Sequence, residues 1–322
     1  MAPPGWLPFH SSFREEVLDF LSRWEYLNVN TSSCLPPVSR NPFSRPPGRS
    51  LFLCRDDRRL LGLLGLGRHG LCLPLFPPGQ EDPAFRESGA SAGEAGPGSV
   101  PEQMFPCREI PPLEGPLPGE VETCRTLMGL KASVLALEPR FRRRIQNSLD
   151  YHLMVSPPLS EASGRKAAGQ ENRRKDAWAN LTVRRAGPGD TDALYPLQMA
   201  YEMEEVILDP LRFHPQLCYQ NLNRQLKEQV IYIAEDQGRP VAKAGTNARG
   251  FFWAQMGGVY TLPEYRNRGI AGCLAGRLVR DLAGRKKRFC LFVKKENRPA
   301  LKVYEKNGFT IAGEFRITYL GS

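Results

Sequence analysis

The chain reads as an α/β (α+β) protein built from two similar units, on three observations. Short apolar runs of strand length alternate with segments whose apolar residues recur every three or four positions. Two stretches rich in Pro, Gly and polar residues, about 77–119 and 156–180, interrupt that alternation and bury too little to order themselves. The elements before and after the second stretch follow one order: helix, three strands, helix, strand, helix, strand. The expectation is therefore an internal duplication, with a first unit over 1–155 that carries the 77–119 insert, a linker over 156–180, and a second unit over 181–322. A length of 322 residues, 41% hydrophobic and 24% charged, suits one large or two ordinary domains.

In the first unit, Ser12 and Glu15 fit a capping box, and Phe13, Val17, Phe20, Leu21 and Trp24 mark one face of the helix that follows. Strands are expected at Leu51–Cys54, Leu60–Leu66 and Leu71–Phe76, with turns at Asp56-Asp57 and Arg68-His69-Gly70. Beyond the insert, 120–130 reads as a helix, 132–137 as a strand, 140–149 as a helix and 151–155 as a strand. The second unit opens with a strand at 181–185 and a helix capped by Asp190 or Thr191 that runs to about Val206. A helix over 215–228 follows. Strands are expected at 230–235, 240–246 and 251–261, with Asp236-Gln237-Gly238 as a hairpin turn. Ile270, Cys273, Leu274, Leu278 and Leu282 line one face of a helix over 268–283. Phe289–Val293 is an unbroken apolar run, as in a strand covered on both faces. Asn297 caps a short helix that stops at Gly308, and 309–320 supplies the last strand or two.

Composition narrows the function classes. No stretch approaches the ~18 apolar residues of a membrane span. Met1–Pro8 lacks the basic start and long apolar core of a signal peptide, so a cytoplasmic location is expected. The eight cysteines and four histidines show no C-x-x-C or H-x-x-x-H spacing, so no metal site is expected and the cysteines read as free, packed thiols. Lys plus Arg is 44 against 34 Asp plus Glu, a net +10, and 181–322 carries 22 of the basic residues against 14 acidic ones, or +8. A basic second unit suggests an anionic partner.

Gly65-Leu66-Gly67-Arg68-His69-Gly70 matches G-x-G-x-x-G, but the Pro-containing apolar run after it cannot open a helix, so it reads as a hairpin turn. The informative segment is Gly257-Gly258-Val259-Tyr260-Thr261-Leu262-Pro263-Glu264-Tyr265-Arg266-Asn267-Arg268-Gly269-Ile270-Ala271-Gly272. A β-branched and aromatic strand ends at Pro263, and an Arg/Gly loop runs directly into a helix. A helix N-terminus presents unpaired N–H groups and ~0.5 positive charge. Gly269 and Ala271 leave the backbone open to a ligand, and Arg266 and Arg268 add charge. The segment reads as an anion site, the alternative being a solvated basic loop.

Arg266, Gly269 and Ala271 in R-x-x-G-x-A after this strand resemble the acyl-CoA site of the GNAT superfamily of N-acetyltransferases. Asn297…Ala300…Tyr304-Glu305-Lys306-Asn307-Gly308-Phe309, ~30 residues on, is similar to the second half of that signature. The resemblance covers 181–322. It implies a mixed, mostly antiparallel sheet flanked by helices, and transfer of an acetyl group from acetyl-CoA to a primary amine by direct attack in a ternary complex. It also implies an N-acetyltransferase with acetyl-CoA as co-substrate, no metal, and a small-molecule amine or protein N-terminus as acceptor.

By the same resemblance, Val259, Tyr260 and Thr261 would pair with the pantetheine arm. The loop Arg266, Asn267, Arg268, Gly269, Ile270, Ala271 would hold the pyrophosphate, and Asn297 would contact the pantetheine side. Tyr304 would protonate the leaving thiolate, its alternative being a core aromatic. No carboxylate lies on the strand before the loop, and the nearest acidic cluster offers Glu204 and Glu205 as candidate bases, or a solvated helix face. The first unit lacks the pyrophosphate loop, so it reads as a degenerate GNAT-like unit that binds no CoA. Two other readings are a non-catalytic acyl-CoA sensor and a basic RNA-associated protein. The runs Arg142–Arg144, Arg173–Lys175 and Arg285–Arg288 carry no interleaved aromatics, which argues against the latter.

Overall fold

The computed structural model describes residues 5–35, 49–56, 60–67, 70–77, 117–156, 181–207, 210–283 and 288–321. Most of both expected linkers (78–116 and 157–180), parts of the turns at 56–57 and 68–70, and the basic residues 173–175 and 285–287 lie outside the described residues. Among the described residues, twelve strands form one sheet. They are β1 (Gly5–Pro8), β2 (Ser50–Arg55), β3 (Leu60–Gly67), β4 (Leu71–Leu75), β5 (Thr126–Leu130), β6 (Ile145–Val155), β7 (Leu181–Arg185), β8 (Ile231–Asp236), β9 (Arg239–Arg249), β10 (Trp253–Thr261), β11 (Arg288–Lys294) and β12 (Thr310–Leu320). The helices are α1 (Arg14–Trp24), α2 (Val29–Ser32), α3 (Lys131–Leu137), α4 (Thr191–Tyr201), α5 (Pro215–Glu228), α6 (Ile270–Ala283) and α7 (Arg298–Lys306).

The strand order is β1-β2-β3-β4-β5-β12-β6-β11-β10-β9-β8-β7. Described strand pairs are antiparallel except β4–β5 and β10–β11. Each half thus lays down four antiparallel strands and a fifth parallel to the fourth. The sixth strand of each half crosses over: β12 pairs with β5, and β6 pairs with β11. The two exchanged strands pair with each other from Thr310 opposite Val155 to Leu320 opposite Ile145. The mixed, mostly antiparallel sheet flanked by helices is as expected, and the two halves repeat one topology.

Several elements differ from expectation. Residues 126–130 are a strand, 131–137 a helix and 145–155 a strand, the reverse of the helix, strand and helix expected over 120–149. Val134 and Leu137, three apart, are buried while Leu135 is exposed, which fits a helix and not a strand. Residues 145–149, of which Ile145, Gln146 and Asn147 are exposed, are strand because β12 supplies the ladder they pair with. The Ser12–Glu15 capping box does not form. His10 Nδ1 instead accepts from the Ser12 N–H, and α1 starts after that turn. β1 was not foreseen. The G-x-G-x-x-G segment is the β3–β4 hairpin, with Gly67 opposite Leu71 and Gly70 at φ +73°.

A deep contact ties the halves together. The Glu25 carboxylate, fully buried, accepts from the backbone N–H groups of Phe251 (2.7 Å), Phe252 (2.7 Å) and Trp253 (2.8 Å), and from the Ser32 hydroxyl. Tyr26 packs on Trp253, ring centroids 5.3 Å apart, and the Arg288 guanidinium lies over the Trp253 ring, 4.5 Å from its centroid. Val17, Phe20, Leu21 and Trp24 of α1, Leu53 and Leu63 of the first half, and Trp253, Cys290 and Phe315 of the second share one core. α6 and α7 pack Ile270, Leu274, Leu278, Leu301 and Tyr304 against β8–β11. α4 and α5 pack Leu194, Leu197, Leu222 and Leu226 on the opposite side, against Ile231, Ile233 and Tyr260.

Candidate active site

The site begins where two parallel strands part. β10 and β11 are in register from Trp253–Arg288 to Met256–Leu291 and no further. Past that point β11 continues beside β6, and β10 continues to Thr261. The backbone of Gly257–Thr261 therefore faces a gap on its β11 side, with polar groups that lack a strand partner there. On the β9 side β10 bulges: Gly257 lies opposite Gly245, but Tyr260 lies opposite Lys243. Gly258 in the bulge has φ +59°.

The loop after β10 closes one end of the gap. Asn267 (φ +62°) and Gly269 (φ +78°) both adopt the left-handed conformation, which suits Asn and Gly. The Gly269 carbonyl accepts from Cys273 N–H at 3.2 Å, so Gly269 caps α6 and the N–H groups of Ile270, Ala271 and Gly272 have no partner within the helix. The gap opens into a cleft of about 1310 Å³. That exceeds the ~300–1,000 Å³ of a single small-molecule site and has room for two substrates. Val259, Tyr260, Thr261, Arg266, Asn267, Arg268, Gly269, Ile270, Ala271, Asn297, Tyr304, Glu204 and Glu205 all line it. These candidate site residues therefore share one cleft.

Several of those side chains already have partners. Arg266 donates to both Glu204 oxygens at 2.8 Å and to the Thr261 carbonyl at 3.0 Å. Arg268 donates to the Glu264 carbonyl at 2.9 Å and stacks over Tyr265. The Asn297 Oδ1 caps α7 by accepting from Ala300 N–H at 3.1 Å. The Arg266 hydrogen bonds hold the Glu204 carboxyl below the usual carboxylate range, and the Tyr260 hydroxyl adds a third at 2.8 Å. Glu205 pairs with Lys294 at 3.0 Å. Tyr304 is 7% exposed and packs edge-on to Phe309, and burial raises its phenol so that it keeps its proton.

Residues 194–309 match the family model described as Acetyltransferase (GNAT) family. This stretch is a GNAT acetyltransferase domain. The family transfers an acyl group from acyl-CoA to an amine. Among solved structures, a Drosophila protein is similar over 98% of this chain and 98% of its own, at 14% identity and a TM-score of 0.57, which shows the fold alone. A GNAT-family acetyltransferase from Colwellia psychrerythraea (12% identity, 99% and 100% coverage, TM-score 0.44) and a tandem GNAT protein from the clavulanic acid biosynthesis pathway (12%, 99% and 99%, 0.45) are also similar. A comparison with curated proteins gave no match.

The cleft also contains residues that the sequence did not single out. Tyr151 on the exchanged strand β6, Met128 on β5, and Ile317 and Tyr319 on β12 form the wall away from the loop. Tyr201 at the end of α4 enters from the opposite side, just before a π-helical turn at Glu202–Val206 that carries Glu204 and Glu205. None of these has a local motif, and long-range strand pairing brings Tyr151 and Met128 in from more than a hundred residues before Gly257.

Proposed function

We propose that the chain transfers an acetyl group from acetyl-CoA to a primary amine within a ternary complex. The parting of β10 and β11 beyond Met256–Leu291, beside the open N-terminus of α6, carries this reading. The edge of Val259, Tyr260 and Thr261 suits an extended amide-bearing arm, which would add to it as a strand does. The N–H groups over Asn267–Ala271 suit a pyrophosphate. Acetyl-CoA supplies an acyl group activated as a thioester.

The acceptor enters along the wall of Met128, Tyr151, Ile317 and Tyr319. Its amine, uncharged, attacks the thioester carbonyl carbon, so that the C–N bond forms and the C–S bond breaks. The backbone of the Gly258 region faces the oxygen that gains charge. Tyr304 gives its phenolic proton to the departing sulfur. Of the two candidate carboxylates, Glu205 is the better placed to take the amine proton, because both oxygens of Glu204 are held by Arg266.

The engagement of Glu204 and Glu205 in ion pairs favours a second reading, an acyl-CoA sensor without turnover. A thiol-release assay with full-length protein, acetyl-CoA and a panel of primary amines separates the two. Transfer predicts thiol release that needs an amine. Acetyl-CoA binding with no release on any amine would favour the sensor.

A further inference from the structure

Lys243 is a buried charge with no part in the chemistry above. It sits in β9 within Val241-Ala242-Lys243-Ala244-Gly245 and is 3% exposed. An ammonium taken out of water is costly unless it is paired and fully hydrogen-bonded. Here Nζ donates to a neutral group, Gln198 Oε1, at 2.6 Å, and Gln198 Nε2 in turn donates to Glu202 Oε1 at 2.8 Å. Nζ also lies 4.3 Å from the centre of the Tyr201 ring. A Cβ built on Gly258 would stand 3.3 Å from it, so the ammonium sits directly behind the bulge of β10. The Gly258 backbone N–H in turn faces the Tyr201 phenol. A stable core would not choose a lysine at this position, and groups that strain a fold in this way concentrate where function needs them.

We propose that Lys243 is a positioning residue of the transfer site, its ammonium holding Tyr201 and the Gly258 bulge in place and putting a positive charge behind the strand edge that meets the thioester carbonyl. The proposal rests on the acyl-transfer reading of the cleft. A fixed charge in a dry, low-dielectric setting acts over several ångströms and needs no reorganisation when the carbonyl oxygen becomes negative. The groups facing Lys243 are Tyr201 and Glu202 from the α4 segment, Cys218 from α5, Tyr260 across the strand pair and the apolar Ile233 from β8. Burial brings the Lys243 ammonium down to about 8, with Glu202 and Cys218 opposing. The charge behind the bulge is therefore present at neutral pH and lost as the pH rises past that value.

Isotope-edited infrared spectroscopy of acetyl-CoA labelled with ¹³C at the thioester carbonyl reads this field without an acceptor amine. The full chain, Lys243→Met and Lys243→Arg are compared at saturating acetyl-CoA, with circular dichroism as a folding control. The carbonyl stretch of bound acetyl-CoA should lie below that of free acetyl-CoA in the wild type, and the displacement should fade as the pH rises through about 8. Lys243→Met should lose most of the displacement at every pH while still binding. Lys243→Arg should keep it at alkaline pH. A wild-type carbonyl frequency in Lys243→Met would overturn the proposal. If Lys243→Met does not fold, a pH-independent displacement in the wild type would overturn it instead. No acetyl-CoA binding by the wild type would overturn the acyl-transfer reading as well, so the two failures are distinct.

Discussion

Gly269 holds φ +78° at the start of α6, and its carbonyl accepts the first helical hydrogen bond. A β-branched side chain is strained in that conformation and would project into the approach to the loop N–H groups. Gly269→Val should abolish acetyl-CoA binding, read by calorimetry, while circular dichroism stays native; undiminished affinity would remove the loop from the site. Tyr304 makes a different demand. It lines the cleft from α7 with a phenol that burial keeps protonated. Tyr304→Phe keeps the ring and deletes the proton, so turnover should drop ~10²–10⁴-fold with little change in acetyl-CoA affinity. Equal turnover would return Tyr304 to a packing role against Phe309. Both residues were legible in the sequence because their neighbours are local: a glycine before a helix, and a tyrosine seven positions after a capping asparagine. Lys243 and Tyr151 were not, because what gives them meaning lies on α4, β10 and β11.

At the scale of elements, most boundaries that local pattern decides came out as read, the Ser12–Glu15 cap excepted, and those that pairing decides did not. The turn at Gln237-Gly238 has φ +49° and +81°, the conformation its residues invite. The run Ala132–Leu137 is apolar enough for a strand, yet it is α3, because β5 and β12 already fill the sheet beside it. Glu25 was invisible for a similar reason. It follows the apolar face of α1 and looks like a solvated charge, but the acceptor role it plays is for donors at 251–253. Those three N–H groups anchor the start of β10, the strand that forms the cleft edge. Glu25→Gln replaces one acceptor oxygen with a donor that faces N–H groups. A cost of about 3 kcal/mol is expected, since hydrogen bonds to a buried charged group are worth ~1.5–3 kcal/mol each and one of the oxygens serves two of the donors. Urea unfolding measures it, and a midpoint equal to the wild type's would show that the clamp contributes nothing. Gly250 belongs to the same contact: a Cβ there would stand 2.1 Å from a Glu25 oxygen, so Gly250→Ala should cost stability by the same route.

The whole molecule repeats one topology, and the two halves differ at the point where their parallel strands part. In the first half β4 and β5 also part, after Cys72 opposite Leu127. There the gap is filled from within. Asn28, fully buried, donates to the Pro74 carbonyl at 3.3 Å and to the Met128 carbonyl at 2.7 Å, one on each strand. Thr31 donates to the Leu73 carbonyl at 3.2 Å, and Pro74 has no N–H to offer a ligand. The strand edge that would hold an extended arm is thus already satisfied by α2 and its N-cap residue Asn28. Titration of the full chain with acetyl-CoA should give one site, and a stoichiometry near two would show that α2 moves aside. Element order in the sequence suggested this duplication, but it carried no trace of the exchange of β6 and β12, which depends on long-range pairing alone.

That exchange decides how the halves can be separated. We read 1–155 and 181–322 as two units, each completed by the other's last strand. A fragment of residues 181–322 keeps the Arg266–Ala271 loop, α6 and α7, but loses β6. β11 would then present Phe289, Leu291 and Val293 on an unpaired edge, and the wall residue Tyr151 and the Glu25 clamp on β10 would go with it. An exposed apolar edge invites aggregation. The fragment expressed alone should therefore be insoluble or self-associated. Co-expression with a 1–156 fragment should restore a soluble one-to-one complex that binds acetyl-CoA, because the two pieces supply β6 and β12 to each other without a covalent link. Size-exclusion chromatography with light scattering checks both outcomes. A soluble, monomeric 181–322 fragment with full acetyl-CoA affinity would mean that the second half closes its own sheet and that the exchange of strands is dispensable.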